Sequence, residues 1–184
     1  MSNFYDGELL MHKYYLFKIL VGGNGGVGKT TLLRRYVNGM FDEGTIMTVG
    51  VDFFVKDLRL NSSMHCSLQL WDLGGQEQFR YLMSNYVMGA RGALLLIDLT
   101  KMPEMKSILE WVNIIRFHDL KLPIILVGTK LDLEEAIAVD DDYALNIKDT
   151  FNMIDYIKTS SKTGHNVGKV FEIMAKRLMG IKKE

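Results

Sequence analysis

The residues with the clearest chemical potential form a glycine-rich segment near the start of the chain. The pattern G-x-x-x-x-G-K-[ST] is matched in full by Gly23, Asn24, Gly25, Gly26, Val27, Gly28, Lys29 and Thr30. Glycines let backbone N–H groups converge on an anion, because no Cβ stands in the way. Lys29 can reach the β- and γ-phosphates of a nucleotide, and the Thr30 hydroxyl can ligate Mg²⁺. Together with the neighbouring Thr31, this segment is the predicted phosphate site.

The segments on either side give this loop the setting it needs. Residues 15–21 are predicted to form a buried strand, and the residues from Lys29 onward an amphipathic helix. The N-terminus of that helix adds free N–H donors and a favourable dipole. A glycine-rich turn that binds nothing is the alternative, and the agreement of strand, motif and helix argues against it.

Apolar runs and helical patterns alternate along the rest of the chain. Strands are predicted at residues 15–21, 51–60, 64–71, 93–99, 124–128 and 153–158, and helices at residues 29–38, 77–88, 103–118, 140–150 and 166–179. The polar link Asn61-Ser62-Ser63 predicts an antiparallel hairpin, whereas helical crossovers predict parallel pairing elsewhere. The expected fold class is a three-layer α/β P-loop domain. Its six-stranded sheet is mostly parallel with one antiparallel edge strand, and about five helices cover it.

The composition of the 184-residue chain suits one domain with a sizeable core. Its formal net charge is zero, which argues against binding of a nucleic-acid polymer by broad electrostatics. Cys66 is the one cysteine, and its apolar neighbours indicate a core residue in a reducing compartment. No apolar run is long enough to span a bilayer, and residues 1–14, the predicted leader, lack the pattern of a signal peptide.

A second polar group follows the third predicted strand. Asp72 closes an apolar run, which fits a second Mg²⁺ partner that acts through a water. Gly75 can present its N–H to a γ-phosphate without steric cost. Gln76 can orient an attacking water, because its amide both donates and accepts hydrogen bonds. The alternative is an Asp-capped turn with no role in metal binding.

A third group follows the fifth and sixth predicted strands. The carboxylate of Asp132 can accept hydrogen bonds from the N1–H and the exocyclic amine of guanine, and adenine offers no such pair of donors. The Lys130 stem can cover one face of the base. Alone, this T-K-x-D match is short, and a solvated turn is the alternative. The predicted base site comprises Thr129, Lys130, Asp132, Leu133, Ser160, Ser161 and Lys162.

In their order and spacing, these motifs resemble the small GTPases of the Ras superfamily over residues 16–179. The resemblance implies a G domain at residues 15–180 with a short tail at residues 181–184. It also implies GTP and GDP as substrate and product, Mg²⁺ as cofactor, and slow intrinsic hydrolysis. Thr48 matches the switch threonine, whose hydroxyl binds Mg²⁺ and whose N–H meets the γ-phosphate, and Phe41 and Thr45 are expected at the nucleotide. The implied catalytic residues are Lys29, Thr48, Gly75 and Gln76, and the implied metal ligands are Thr30, Thr48 and Asp72.

Within the superfamily, the chain looks most like Rab proteins. Phe53, Trp71 and Tyr86 resemble the aromatic trio that Rab proteins present to effectors; the alternative is that these rings are only core. The resemblance implies a monomeric switch in membrane trafficking, in the cytoplasm or peripheral to membranes. Its partners would be protein effectors, an exchange factor and a GTPase-activating protein. Ser2 and a C-terminal segment without cysteine provide no lipidation motif.

Two departures from the Rab pattern bear on the mechanism. Leu73-Gly74 replaces the usual Thr-Ala before Gly75, and the resulting Gly74-Gly75-Gln76 is similar to Arf-like proteins. Thr129 replaces the usual Asn, as in Rho proteins. Two other functions are kept open. A pseudo-GTPase would bind nucleotide without hydrolysing it, which single-turnover phosphate release would reveal. A P-loop ATPase or nucleotide kinase would have no use for Asp132, so equal competition by ATP and GTP would favour it.

Overall fold

The computed structural model describes residues 13–42, 44, 48–60, 64–76, 83 and 85–181. Within them the strands are β1 (Lys13–Gly22), β2 (Val51–Arg59), β3 (Met64–Leu73), β4 (Gly92–Asp98), β5 (Ile124–Thr129) and β6 (Asp155–Lys158). The α-helices are α1 (Lys29–Asn38), α2 (Met105–Ile115), α3 (Asp141–Thr150) and α4 (Val167–Leu178). A short 3-10 helix spans Glu134–Ala136.

The six strands form one sheet in the order β2-β3-β1-β4-β5-β6. Strand β2 pairs antiparallel with β3, and the other pairs are parallel. The predicted fold class, with one antiparallel edge strand, is confirmed. Four of the predicted helices are present, and α1 has the predicted bounds. The predicted helix at residues 77–88 falls largely on residues 77–82 and 84, which lie outside the described part of the chain.

Helices cover both faces of the sheet, because the central strands are apolar on both sides. Strand β4 is buried along its whole length. Its side chains alternate between two clusters: Leu94 and Leu96 pack with Phe171 of α4, whereas Leu95 and Ile97 pack with Trp111 of α2. Helices α1 and α3 add further buried side chains to the first and second clusters, respectively. This alternation produces the three-layer arrangement and aims the carboxyl ends of β1, β4 and β5 at one edge.

Part of the sheet carries exposed apolar side chains. Leu16 of β1 and Phe53 and Val55 of β2 are large hydrophobic residues with high exposure. They alternate with residues that point into the core, such as Phe17 and Phe54. In the described ranges, no helix combines the length and the apolar character needed to cross a bilayer.

Candidate functional site

A pocket of about 340 Å³ lies beyond the carboxyl ends of β1 and β5. This edge is where ligands bind in open α/β sheets. Asp42, which the sequence did not single out, contributes to its wall. The predicted site residues that line the pocket are residues 25–31, Phe41, Thr48, Gly75, Thr129, Lys130, Asp132, Leu133, Ser161 and Lys162.

Five predicted residues lie beside this pocket rather than in its lining. They are Gly23, Asn24, Asp72, Gln76 and Ser160. Asp72 and Ser160 contact pocket residues through hydrogen bonds described below. Thr45 lies outside the described residues, so its predicted contact with nucleotide stays a prediction.

The phosphate loop, residues 23–30, joins β1 to α1 and encloses its own lysine. Gly28 caps α1 with a φ of +95°, a conformation that favours glycine. The Lys29 ammonium donates hydrogen bonds to the carbonyl oxygens of Gly23, at 2.8 Å, and Asn24, at 3.0 Å. The loop backbone therefore holds this positive charge at the pocket wall, where it can meet an anionic ligand.

Three oxygen-bearing side chains meet at one point next to the loop. The hydroxyl oxygens of Thr30 and Thr48 lie 2.7 Å apart. Both hydroxyls donate to the Oδ2 atom of Asp72, and the distance from Thr48 Oγ1 is 3.2 Å. These residues come from α1, the segment before β2, and the end of β3, so tertiary structure brings them together.

The donor set of this cluster fits Mg²⁺. Mg²⁺ prefers hard oxygen ligands, and two hydroxyls and a carboxylate converge here. Asp72 is fully buried, and its Oδ1 atom has no hydrogen-bond partner among the described residues. Burial raises the pKa of Asp72, against the lowering effects of the Thr30 hydrogen bond and the Lys29 charge. A cation at this point would favour the ionised carboxylate and use the unpaired oxygen.

The loops after β5 and β6 build the other end of the pocket. The Thr129 hydroxyl donates to the carbonyl oxygens of Val27, at 2.7 Å, and Ile97, at 3.1 Å. Thr129 thereby ties the loop after β5 to the phosphate loop. The Ser160 hydroxyl donates to Asp132 Oδ1 at 2.6 Å, which fixes one oxygen of that carboxylate. Asp132 thus lies in the pocket wall with a defined orientation.

The segment before β2 and the segment after β3 contact each other beside the pocket. The Gly74 N–H donates to the carbonyl oxygen of Gly50 at 2.7 Å. A Cβ atom at position 74 would lie 2.7 Å from that oxygen and 2.9 Å from the carbonyl oxygen of Thr48. A glycine is needed for this close approach, which gives the departure Leu73-Gly74 a structural reason.

Sequence reasoning missed the hydrogen bonds of Asn24 and the ion pair of Asp98. Asn24 Oδ1 accepts hydrogen bonds from Ser107 Oγ, at 2.7 Å, and Trp111 Nε1, at 2.9 Å. These two bonds connect the phosphate loop to α2. Asp98, at the end of β4, forms an ion pair with Lys130 at 2.7 Å. The phosphate-loop motif allows any residue at position 24, so it gave no indication that Asn24 would form these hydrogen bonds. The ion pair of Asp98 could have been anticipated, because Asp98 is a carboxylate that ends an apolar strand at the edge of the sheet where ligands bind.

The predicted aromatic trio forms a cluster on the exposed side of the sheet. The ring centroids of Phe53 and Trp71 lie 5.5 Å apart, and those of Trp71 and Tyr86 lie 6.3 Å apart. The Lys18 ammonium sits 3.8 Å from the centre of the Trp71 ring and donates to the carbonyl oxygen of Met88 at 2.9 Å. Phe53 and Tyr86 are exposed, at 47% and 42%, so these rings are not only core.

Fold and pocket define a P-loop nucleotide-binding domain, and comparisons with known proteins give its class. The family model described as "Ras family" matches residues 18–180. Ras-related protein Rab-30 of Homo sapiens is 38% identical over 166 residues, which cover 90% of this chain and 81% of that protein. Ras-related protein Rab-1 of Theileria parva is also 38% identical over 166 residues, which cover 89% of this chain and 74% of that protein.

A third similar protein is also a Rab protein. Ras-related protein Rab-19 of Xenopus laevis is 34% identical over 166 residues, which cover 90% of this chain and 78% of that protein. The chain therefore belongs to the Ras family, and its relatives make it a Rab-like small GTPase.

Proposed function

We propose that this chain is a Mg²⁺-dependent molecular switch that binds and hydrolyses GTP. The observation that carries the proposal is the single pocket that joins the phosphate loop to Asp132. A ligand that spans it would place phosphates at Lys29 and a base at Asp132. The proposed G domain covers residues 15–180, with residues 1–14 as a leader and residues 181–184 as a tail.

Base selection would come from the carboxylate of Asp132. Its Oδ1 atom already accepts from Ser160, which orients the group toward the pocket. Guanine offers N1–H and an exocyclic amine to this acceptor, whereas adenine would leave the carboxylate unpaired. Thr129 supports the same selection, because its bonds to Val27 and Ile97 fix the position of the loop that carries Asp132.

Hydrolysis would rest on charge stabilisation and on a positioned water. The Lys29 ammonium and the loop amides would stabilise charge that develops on the β- and γ-phosphates. Mg²⁺ bound by Thr30, Thr48 and Asp72 would add positive charge beside the same oxygens. Gln76 would orient water for in-line attack by donating and accepting at once. No arginine lies in the described lining of the pocket, which supports a slow intrinsic rate and acceleration by a partner.

The switch would operate through two segments that sense the third phosphate. Loss of the γ-phosphate removes bonds to Thr48 and Gly75, so residues 39–50 and 74–83 would relax. Effectors would bind these segments together with Phe53, Trp71 and Tyr86, which lie between and beside them. We further propose a monomer that acts in membrane trafficking, in the cytoplasm or at a membrane surface. An exchange factor and a GTPase-activating protein would set its state.

The proposal is tested by a single-turnover assay with GTP and ATP in parallel. The purified chain is loaded with γ-labelled nucleotide, and phosphate release is followed with and without Mg²⁺. We expect slow release from GTP that stops when Mg²⁺ is chelated, and no measurable loading with ATP. Gln76→Leu should retain bound GTP but release phosphate at least about tenfold more slowly.

Asp132→Asn is the matched variant for base selection. It should lower the preference for GTP over ATP by at least about 100-fold, because the paired acceptor is lost. Equal competition by ATP in the parent chain would indicate an ATPase or nucleotide kinase. Stable GTP binding without any phosphate release would indicate a pseudo-GTPase instead.

A further inference from the structure

A partly buried ion pair connects two neighbouring strand ends beside the base end of the pocket. Asp98 closes β4 and lies opposite Thr129 in the β4–β5 pairing, one residue before Lys130. The Lys130 ammonium donates to Asp98 Oδ2 at 2.7 Å. Asp98 is only 6% exposed, whereas the Lys130 side chain retains 35% exposure. The pair therefore runs from the solvent-accessible pocket wall into the interior.

The other oxygen of Asp98 is fixed as well. Asp98 Oδ1 accepts hydrogen bonds from the Thr100 N–H, at 3.0 Å, and the Thr100 hydroxyl, at 2.7 Å. Burial pushes the pKa of Asp98 upward, but the bonds from Lys130 and Thr100 outweigh it, and the pKa lies below its usual value. The carboxylate is therefore ionised at neutral pH and held on both oxygens, which makes it a rigid anchor for an ammonium.

The anchor determines which part of Lys130 faces the nucleotide pocket. Lys130 lines that pocket, while Asp98 lines a neighbouring cavity of about 230 Å³. The side chain thus passes from one cavity toward the other, and its charge is neutralised at the far end. The backbone of Lys130 has a φ of +61°, in the left-handed region that a non-glycine residue seldom adopts. The defined backbone and the tethered ammonium therefore fix both ends of a side chain that lines the nucleotide pocket.

We propose that Asp98 is a positioning residue for the guanine base, because it tethers Lys130 so that the methylene stem covers the base. This inference rests on the proposed function, since it takes Asp132 and Lys130 as the base site. A free lysine side chain has many rotamers and would lose that freedom when a nucleotide binds. Asp98 removes the freedom beforehand, so the bound nucleotide is retained longer.

The test measures release of a ribose-labelled fluorescent GDP from the full chain in Mg²⁺. Asp98→Asn weakens the tether, and Lys130→Met removes the ammonium but keeps an apolar stem. We expect Asp98→Asn to release GDP about tenfold faster, which corresponds to about 1.4 kcal/mol. In the Lys130→Met background, Asp98→Asn should add no further acceleration, because the tether is already gone.

A second measurement separates the effect of the Asp98–Lys130 ion pair from recognition of the base by Asp132. Labelled inosine diphosphate lacks the exocyclic amine that Asp132 would bind. Asp98→Asn should accelerate release of both nucleotides by the same factor, since the stem contacts the face of the base and not its edge. Glu172→Gln is the matched control, because it breaks an exposed ion pair with Lys176 on α4 at 2.6 Å. It should leave both release rates unchanged.

The outcomes distinguish this inference from the proposed function. Failure of the parent chain to bind GDP, or to prefer it over ADP, would overturn the proposed function itself. With GDP binding intact, an unchanged release rate in Asp98→Asn would overturn the inference. So would an equal acceleration in the parent and Lys130→Met backgrounds, because Asp98 would then act independently of Lys130.

Discussion

The Gly74 N–H lies 2.7 Å from the carbonyl oxygen of Gly50, which joins the segment after β3 to the segment before β2. Both segments belong to the proposed switch, and Gly74 is where this chain departs from the alanine of the Rab pattern. A hydrogen bond between the two backbones means that neither segment can move far without the other. The proposed release of Thr48 and Gly75 would therefore be one concerted event rather than two.

Gly74→Ala should loosen this contact even though it restores the Rab residue. Its Cβ would meet the carbonyl oxygens of Gly50 and Thr48 within 3 Å, so the two segments must separate. We expect the arrangement in which the two segments touch to be destabilised by about 1–3 kcal/mol. GTP release should accelerate relative to GDP release, as measured with ribose-labelled nucleotides.

Gly168→Ala is the matched control, because it makes the same substitution in α4 where a Cβ would meet nothing within 4 Å. It should raise the melting temperature slightly through helix propensity and leave both release rates unchanged. An unaltered ratio of GTP to GDP release in Gly74→Ala would show that the contact does not couple the segments.

Gly75→Ala should impair hydrolysis more than binding. A Cβ at this position would collide with the backbone of Asn24 and Gly25 in the phosphate loop. The segment that carries Gln76 must therefore shift away from the loop. We expect single-turnover phosphate release to fall at least about tenfold, while GDP release changes by less than about threefold. Phosphate release at the parent rate would contradict the proposed position of Gln76.

Asn24→Ala should destabilise the fold through α2. It removes the acceptor shared by the Ser107 hydroxyl and the indole N–H of the buried Trp111. A hydrogen bond contributes about 0.5–1.5 kcal/mol, so the loss of two should lower the free energy of unfolding by about 1–3 kcal/mol in denaturant titrations. Asn24→Asp keeps an acceptor oxygen at this position and should retain most of the stability. Equal losses in both variants would argue against the role of the shared acceptor.

Tyr36→Phe should stabilise the protein, in contrast to most core substitutions. Tyr36 stacks on Phe171 with ring centroids 3.8 Å apart, and its hydroxyl is buried without a hydrogen-bond partner in the described structure. Removing that hydroxyl keeps the stacked rings and relieves the desolvation cost. We expect a gain of about 1 kcal/mol in the free energy of unfolding near pH 7. A loss would reveal a favourable role for the hydroxyl.

The same substitution should change the alkaline limit of stability. Burial raises the pKa of Tyr36 to about 12, whereas an unfolded tyrosine titrates near 10. Between these values the unfolded chain loses a proton that the folded chain keeps, so stability falls as the pH rises. The advantage of Tyr36→Phe should therefore widen between pH 10 and pH 12. A constant difference across that range, measured by thermal unfolding, would contradict the assignment.

Local patterns predicted most of the fold, because periodicity records which side chains are buried. The bounds of α1 follow directly from its motif and its amphipathic sequence. Strand β1 begins at Lys13, two residues earlier than predicted, since pairing with β3 extends it beyond the apolar run. Helix α2 begins at Met105 rather than at residue 103, because Glu104 occupies the N-cap in an extended conformation.

Contacts between distant segments explain what the sequence did not predict. Asp98 acquires its role only because β4 pairs with β5 and brings Thr129, and so Lys130, beside it. Asn24 faces α2, which lies more than 80 residues further along the chain. The nearness of Gly74 to Gly50 likewise depends on the β2–β3 pairing. None of these relationships has a local periodicity that a pattern could record.

The chain contains two tryptophans, and the structure puts them in different surroundings. Trp111 is buried and donates its indole N–H to the phosphate loop, whereas Trp71 lies beneath the Lys18 ammonium and beside Phe53 and Tyr86. Intrinsic fluorescence therefore carries two separate optical signals. The emission of a Trp71→Phe protein would report on the loop, and that of a Trp111→Phe protein on the aromatic surface. Nucleotide exchange and partner docking could each be followed in the unlabelled molecule.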